Sequence, residues 1–352
     1  MTEPFVHYMY VLECEDGSLY TGYSPNVEAR LEAHRQGRGA RYTQTHKPRR
    51  LVAQARFYTK GRALSAEAHF KQLSRAQKDR LLAMAAQQPL EDVLTVHLEG
   101  FPEDTAPELV ARSLVQAQKP SLKAFNQKLL PTLDEAAILG VPTPELRRIT
   151  KRLMSRPDAQ SFLSQLPHAY FEENLVQALA VGFLGSYEEA LSAVERFLPH
   201  IDNWAVCDQI PLGPFAGHEE ELKEPLVRWC ESDECYTVRF GLRVLMRYFL
   251  GERFCERVLD YVAAKRLQGA PQVPEAGSEA YYVDKARAWL LAEALATQPE
   301  ATLPYLEPSG PVDEWTRRAA VQKARESHKI SHELKDYLKT LPKRPLGEEN
   351  GA

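Results

Sequence analysis

The sequence predicts an α+β protein in two parts, a small N-terminal α/β domain followed by a larger all-α solenoid. Three observations predict it. Residues 1–88 mix short β-branched and aromatic runs with helical patterns, and residues 121–342 repeat apolar residues at three- and four-residue spacing with little interruption. Between them, residues 89–120 hold Pro89, Pro102, Pro107 and Pro120 among acidic stretches. A chain of 352 residues is long enough for two such cores.

In the first part, "HYMYVLEC" and "SLYTGYS" flank "EDG" and read as two strands joined by a tight turn. "NVEARLEAHRQG" reads as a short helix capped by Asn26 and stopped at Gly37. "RRLVAQARFY" is the third strand, and "ALSAEAHFKQLSRAQKDRLLAMAAQ" reads as one strong helix opened by Ser65, which completes the order β-β-α-β-α. Residues 89–120 read as a linker with one short helix at 107–118. Beyond it, comparable inner helices begin near Asn203, Tyr236, Tyr281 and Glu314, at separations of 33, 45 and 33 residues, around the period of HEAT-like units. The Gly/Pro-rich "LQGAPQVPEAGSEA" accounts for the longer gap. Residues 343–352 read as a disordered tail.

Composition narrows the function classes. No run approaches eighteen apolar residues, and "MTEPFVHYMY" has neither a basic start nor a cleavable apolar stretch, so neither a membrane span nor a signal peptide is expected. Five cysteines, Cys14, Cys207, Cys230, Cys235 and Cys255, are odd in number and form no C-x-x-C pair, which argues against a disulfide framework and a zinc site. The net charge of -4 is unevenly spread. Residues 1–88 carry fourteen Lys and Arg against eight Asp and Glu, a net of +6, leaving -10 for the rest. A basic small domain on a more acidic large one points to a polyanion partner for the first part.

The chemistry-bearing residues of the first part come in a fixed order. "MYV" supplies Tyr10, "LYTG" supplies Tyr20 and Gly22, "VEARLEAH" supplies Arg30 and His34 four apart on one helix face, "GRGARYT" supplies Tyr42, and "SAEAHFKQLSRAQKDRLL" supplies Glu67. Over residues 5–82 this set resembles the GIY-YIG nuclease family, with the first motif lacking its glycine and isoleucine. The resemblance implies phosphodiester hydrolysis, with Tyr10, Tyr20, Arg30 and Glu67 catalytic. Arg30 would face the phosphate, Glu67 would hold a single Mg²⁺, and the two tyrosines would orient or deprotonate the nucleophile. A tyrosine serves as a base only where a nearby cation depresses its pKa. Gly22 would allow close backbone approach to the phosphate, and His34 and Tyr42 would contact nucleic acid.

In the second part, "IDNWAVCDQI" places Trp204 and Asp208 four apart, on one helix face. The pair reads either as a core Trp beside a capping Asp or as a chemical face. The stretches "LLPTLDEAAILGVPTPELRRITKRL", "YFEENLVQALAVGFL", "FLPHIDNWAVCDQI", "YTVRFGLRVLMRYFL" and "YYVDKARAWLLAEAL" resemble the HEAT-like-repeat DNA alkylation repair enzymes, glycosylases for alkylated purines. That resemblance makes Asp208 the catalytic carboxylate, stabilising positive charge on the sugar as the base leaves. Trp204 and Trp289 would hold the nucleotide, and Arg239 would grip a phosphate. Arg239, Arg243 and Arg247 recur every four residues as a basic stripe, while Trp229 and Trp315 read as core.

Together these expectations describe a DNA repair factor joining a Mg²⁺-dependent nuclease-like domain to a cofactor-free glycosylase-like domain, monomeric and cytoplasmic at the nucleoid, with DNA as partner. The alternative is a damage- or structure-recognising adaptor that is non-catalytic or has nuclease activity only.

Overall fold

The computed structural model describes residues 7–341, so the expected tail at 343–352 lies outside the described residues. The chain forms two compact units, Met1–Gln118 with Ser155–Ser164, and Lys119–Met154 with Gln165–Ala352.

In the first unit, β1 (His7–Cys14), β2 (Leu19–Ser24) and β3 (Pro48–Phe57) form an antiparallel sheet in the order β2-β1-β3. The β1–β2 turn is set by Asp16, whose carboxylate accepts the Ser18 N–H at 3.0 Å, and by Gly17 at φ 78. Alternation along β1 sends Met9 and Val11 to one face of the sheet and Tyr10 and Leu12 to the other. Helix α1 (Val27–Arg35) covers the Tyr10 face through Val27 and Leu31. It begins at the expected cap, Asn26, which accepts the Ala29 N–H at 2.9 Å, and it ends before Gly37 at φ 71. A five-residue helix that sequence reasoning did not expect, α2 (Arg41–Thr45), follows.

The long helix expected from Ser65 is two helices. α3 (Lys60–Gln72) starts earlier, capped by Thr59, and α4 (Arg75–Met84) restarts at Ser74. Ser74 and Gln77 form a capping box, so the break has a local cause in "SRAQ". α3 packs Ala63, Ala66 and Phe70 on the Met9 face.

The stretch expected to be a linker is also folded. α5 (Leu90–His97) and α6 (Ala106–Ala117) occupy it, and Leu90, Val93, Leu94, Leu98 and Phe101 share one core with Met9 and Phe70. Pro89 and Pro107 stand at helix starts, where a missing N–H costs nothing. Buried Arg62 fastens this addition by an ion pair with Asp104 at 2.7 Å and a hydrogen bond to the Glu103 carbonyl at 2.7 Å.

The second unit is all helical. α7 (Pro120–Leu129) and α8 (Thr143–Met154) open it, while the short α9 (Gln160–Leu163) clusters with the first unit. α10 (Phe171–Ala180), α11 (Tyr187–Phe197), α12 (Trp204–Gln209), α13 (Lys223–Glu231) and α14 (Cys235–Tyr248) follow. α15 (Arg257–Ala264), α16 (Glu279–Thr297), α17 (Pro299–Leu306), α18 (Glu314–Glu326) and α19 (His332–Leu338) complete it.

Each even-numbered helix from α8 to α18 packs on the next, and the expected inner helices are α12, α14, α16 and α18 of this ladder. Trp229 and Trp315 are buried core, as expected. Fully buried Arg287 ties three helices together. Its Nη1 lies 2.7 Å from both Asp284 of α16 and Asp313 at the start of α18, and its Nε donates to the Val262 carbonyl of α15 at 2.8 Å. Among the described residues no helix is long and apolar enough to cross a membrane.

Candidate active sites

In the first unit the sheet face under α1 gathers six of the expected residues. Tyr10 pairs across the β1–β2 ladder with Gly22, and a Cβ on Gly22 would lie 2.6 Å from the Tyr10 Oη. The room that Gly22 leaves is therefore filled by the Tyr10 phenol and is not open to a phosphate, contrary to expectation. Gly39, which sequence reasoning missed, plays the same part for His34, since its Cβ would come within 2.1 Å of Nδ1.

Tyr10 Oη lies 2.8 Å from His34 Nε2, and His34 Nδ1 lies 2.6 Å from Thr43 Oγ1. Tyr20 closes the cluster, its ring 5.1 Å from His34 and 6.0 Å from Tyr42, and Tyr42 in turn stacks on His46 at 4.2 Å. Tyr42 is exposed.

His34 is 1 % exposed, however, and cannot touch nucleic acid directly. Its role is internal, as the partner of Tyr10. Burial, with Arg30 adding to it, holds the His34 imidazole below its usual pKa and so neutral. Burial also pushes Tyr10 up to about 12, and the opposing hydrogen bond from Arg30 does not offset it. The protein's own groups thus keep Tyr10 a phenol, where the sequence argument required a depressed pKa. The Arg30 guanidinium is raised above its ordinary value chiefly by that hydrogen bond to Tyr10. Its Nε is buried with no hydrogen-bond partner among the described residues, a donor left over beside two phenols.

Glu67 is not brought into this cluster. It sits on α3, whose Ala63, Ala66 and Phe70 pack on the Met9 face, and its carboxylate pairs with Lys71. Among the described residues no group of three or more His, Cys, Asp or Glu side chains could hold a metal ion. Glu67 as a single carboxylate, once released from Lys71, fits the way Mg²⁺ binds, through one or two carboxylates with water and phosphate oxygens.

In the second unit Trp204, Ala205, Asp208 and Gln209 of α12 form one wall of a cleft of about 220 Å³, faced by apolar side chains that include Leu129, Val141, Leu146 and Phe171. Asn203 starts the helix by accepting the Val206 N–H at 2.9 Å, which presents Trp204 and Asp208 on the same side. Asp208 is clamped by a bidentate fork from Arg239, with Nε to Oδ1 at 2.9 Å and Nη2 to Oδ2 at 2.7 Å.

Arg239 also donates to the Tyr282 carbonyl at 3.1 Å and is 7 % exposed, so it cannot grip a phosphate as expected. Arg243 is likewise committed. It donates to the carbonyls of Cys207 at 2.7 Å and Ile210 at 3.2 Å. Of the expected basic stripe only Arg247 is exposed. Trp289 does not line the cleft. It lies on α16, donates to Glu293 at 3.3 Å, and carries the Lys323 ammonium 5.8 Å from its ring.

A three-stranded sheet unit with a buried Tyr–His–Arg cluster, followed by a helical ladder with a clamped carboxylate in a cleft, defines an enzyme of two domains that acts on DNA in a repair or nuclease role. The chain belongs to the DNA alkylation repair enzyme family, whose model matches residues 110–327, and it carries a GIY-YIG catalytic domain over residues 6–80. A UPF0213 protein of Bacillus licheniformis is 50 % identical over 76 residues, 22 % of this chain and 78 % of that protein. One from Natronomonas pharaonis is 51 % identical over 77 residues, 22 % of this chain and 91 % of the relative. The solution NMR structure of a UPF0213 protein from Bacillus halodurans is 42 % identical and covers 26 % of this chain and 96 % of that one, with a TM-score of 0.17.

Proposed function

We propose that the chain is a DNA repair enzyme with two activities, excision of alkylated purines by the helical unit and metal-dependent strand cleavage by the N-terminal unit. For excision, the observation that carries the reading is that Asp208 and Trp204 share one wall of a cleft while Arg239 fixes the carboxylate. Alkylation at N3 or N7 makes a purine cationic and a good leaving group, so positive charge develops on the sugar as the glycosidic bond breaks. A carboxylate already oriented there stabilises that charge without reorganising. Trp204 would hold the sugar against Asp208, and Arg239 becomes the residue that positions Asp208.

For cleavage, Arg30, which is partly exposed, would meet the phosphate through the accessible part of its guanidinium, and Tyr10 would orient the attacking water with His34 behind it. Tyr20 and Tyr42 would flank the nucleotide. Mg²⁺, held by Glu67, would supply charge stabilisation at the phosphoryl oxygens.

Incubating the full chain with duplex DNA carrying one N3- or N7-alkylpurine, with and without Mg²⁺, tests both halves when base release and strand cleavage are followed separately. Base release without Mg²⁺ and cleavage only with it are expected. A second reading, a nucleic-acid-binding adaptor with a silent helical unit, is favoured by one observation. Arg239 and Arg243 both stand at Asp208 and neutralise it. It predicts no base release under any condition.

A further inference from the structure

The contact behind Tyr10 continues past His34. Thr43 Oγ1 lies 2.6 Å from His34 Nδ1 and 2.9 Å from the Ala40 carbonyl, in a region where Thr43 is buried. A carbonyl oxygen can only accept, and a threonine hydroxyl has one proton to give. The assignment that satisfies both contacts has Thr43 donating to Ala40 and accepting from His34. We propose that Thr43 is a positioning residue, which holds His34 as the Nδ1–H tautomer and so presents a bare Nε2 to the Tyr10 hydroxyl 2.8 Å away.

Read along its donors, the chain runs Tyr10 O–H to His34 Nε2, His34 Nδ1–H to Thr43 Oγ1, and Thr43 O–H to Ala40 C=O. Gly39 makes the arrangement possible by leaving the space His34 occupies. The charged and titratable groups facing this pair are Arg30 of α1 and Tyr20 of β2. Both Arg30 and burial keep His34 neutral before reaction.

The inference rests on the nuclease reading of this site. In that reaction the attacking water gives a proton to Tyr10 Oη as Tyr10 gives its own to His34 Nε2. The water oxygen bonds to phosphorus, the bond from phosphorus to the departing sugar oxygen breaks, and that oxygen takes a proton from solvent. The resulting imidazolium donates from both nitrogens, to Tyr10 and to Thr43, so no hydrogen bond must be remade. With the opposite tautomer Nε2 would already carry a proton and could not receive one.

The test uses the full chain with ¹⁵N-labelled histidine, the His34 ring signals being assigned by their loss in His34→Gln. In the wild type and in Thr43→Ser, the ring should show a protonated Nδ1 and a bare Nε2. Thr43→Val and Thr43→Ala, which lack the acceptor, should shift His34 toward the Nε2–H form and cut Mg²⁺-supported strand cleavage by between about tenfold and the roughly hundredfold effect of losing a general acid–base group. An unchanged His34 tautomer in both variants overturns the proposal, as does a shifted tautomer with wild-type cleavage. Disagreement between Val and Ala would trace the effect to packing and also overturn it. Should the wild type cleave no DNA, the nuclease reading and the catalytic consequence fail together, and the ring signals decide separately whether Thr43 sets the tautomer.

Discussion

Tyr10 crosses its neighbouring strand only because residue 22 has no side chain. Gly22→Ala would place a methyl 2.6 Å from the phenol oxygen, and overpacking of this kind costs about 1–3 kcal/mol. The expected outcome is a modest fall in melting temperature with a large loss of cleavage, since the ring and its contact with His34 must move together. Enzyme assays beside thermal denaturation check it, and unaltered cleavage would show that Tyr10 needs no fixed pose. At Asp208 two substitutions separate chemistry from support. Asp208→Asn keeps an oxygen for Arg239 and should retain lesion binding, while base release slows by roughly two to three powers of ten, about what one aimed electrostatic group contributes. Arg239→Ala instead removes the fork and leaves a half-buried carboxylate with Arg243 alone, 3.7 Å away. It should cost about 3 kcal/mol of stability, the low end for breaking a buried pair, as read by denaturation. Base release unchanged in Asp208→Asn would make the carboxylate structural.

At the start of α10 two adjacent carboxylates are buried for different purposes. Glu172 accepts the N–H groups of Leu139, Gly140 and Val141, fixing the turn before α8, while Glu173 accepts the Tyr170 N–H as the helix cap partner. Burial pushes Glu173 up to about 7 from 4.5, against that hydrogen bond. A carboxyl that holds its proton more tightly when folded stabilises the fold below about pH 4.5, and the contribution is lost as pH rises through about 7. Glu173→Gln keeps the cap oxygen and never ionises, so the wild type should lose melting temperature relative to this variant across that window. Parallel curves would place the Glu173 carboxyl at its ordinary value. These devices mark the limit of reading elements from sequence. The strands, the Asn26 cap and the Gly37 stop were legible because each is decided by neighbouring residues. The break at Ser74 was legible too, as a capping box, but continuous apolar spacing on both sides hid it. α5 was read as linker because Pro89 and Pro102 suggested a break, whereas its side chains are ordered by Met9 and Phe70, far away in sequence. The Asp208–Arg239 fork was beyond periodicity for the same reason, since spacing shows which face a residue takes but not which partner meets it.

Over the whole molecule, the charge asymmetry visible in the sequence acquires a physical form. The arginines expected to bind DNA in the helical unit, Arg239 and Arg243, are spent on Asp208 and on backbone carbonyls, and Arg287 is wholly internal. In the N-terminal unit, exposed Arg41, Lys47 and Arg49 make no ion pair among the described residues, and they flank or adjoin the segment carrying Tyr42 and His46. Net charge alone would assign polyanion binding to this unit, and the availability of its side chains strengthens the case, because only cations free of internal partners displace counterions from phosphates. Each phosphate neutralised contributes about 0.9 to the slope of log affinity against log salt. Changing Arg41, Lys47 and Arg49 together to Gln in the full chain should therefore flatten that slope by up to about 2.7 and weaken binding to lesion-bearing and intact duplexes alike. Arg243→Gln should leave the slope unchanged. Titrations of the full chain and both variants at several salt concentrations decide between the units. A slope that survives the triple change but falls in Arg243→Gln would mean that the helical unit reorganises on DNA and frees its arginines, and the N-terminal unit would then not be the main electrostatic anchor.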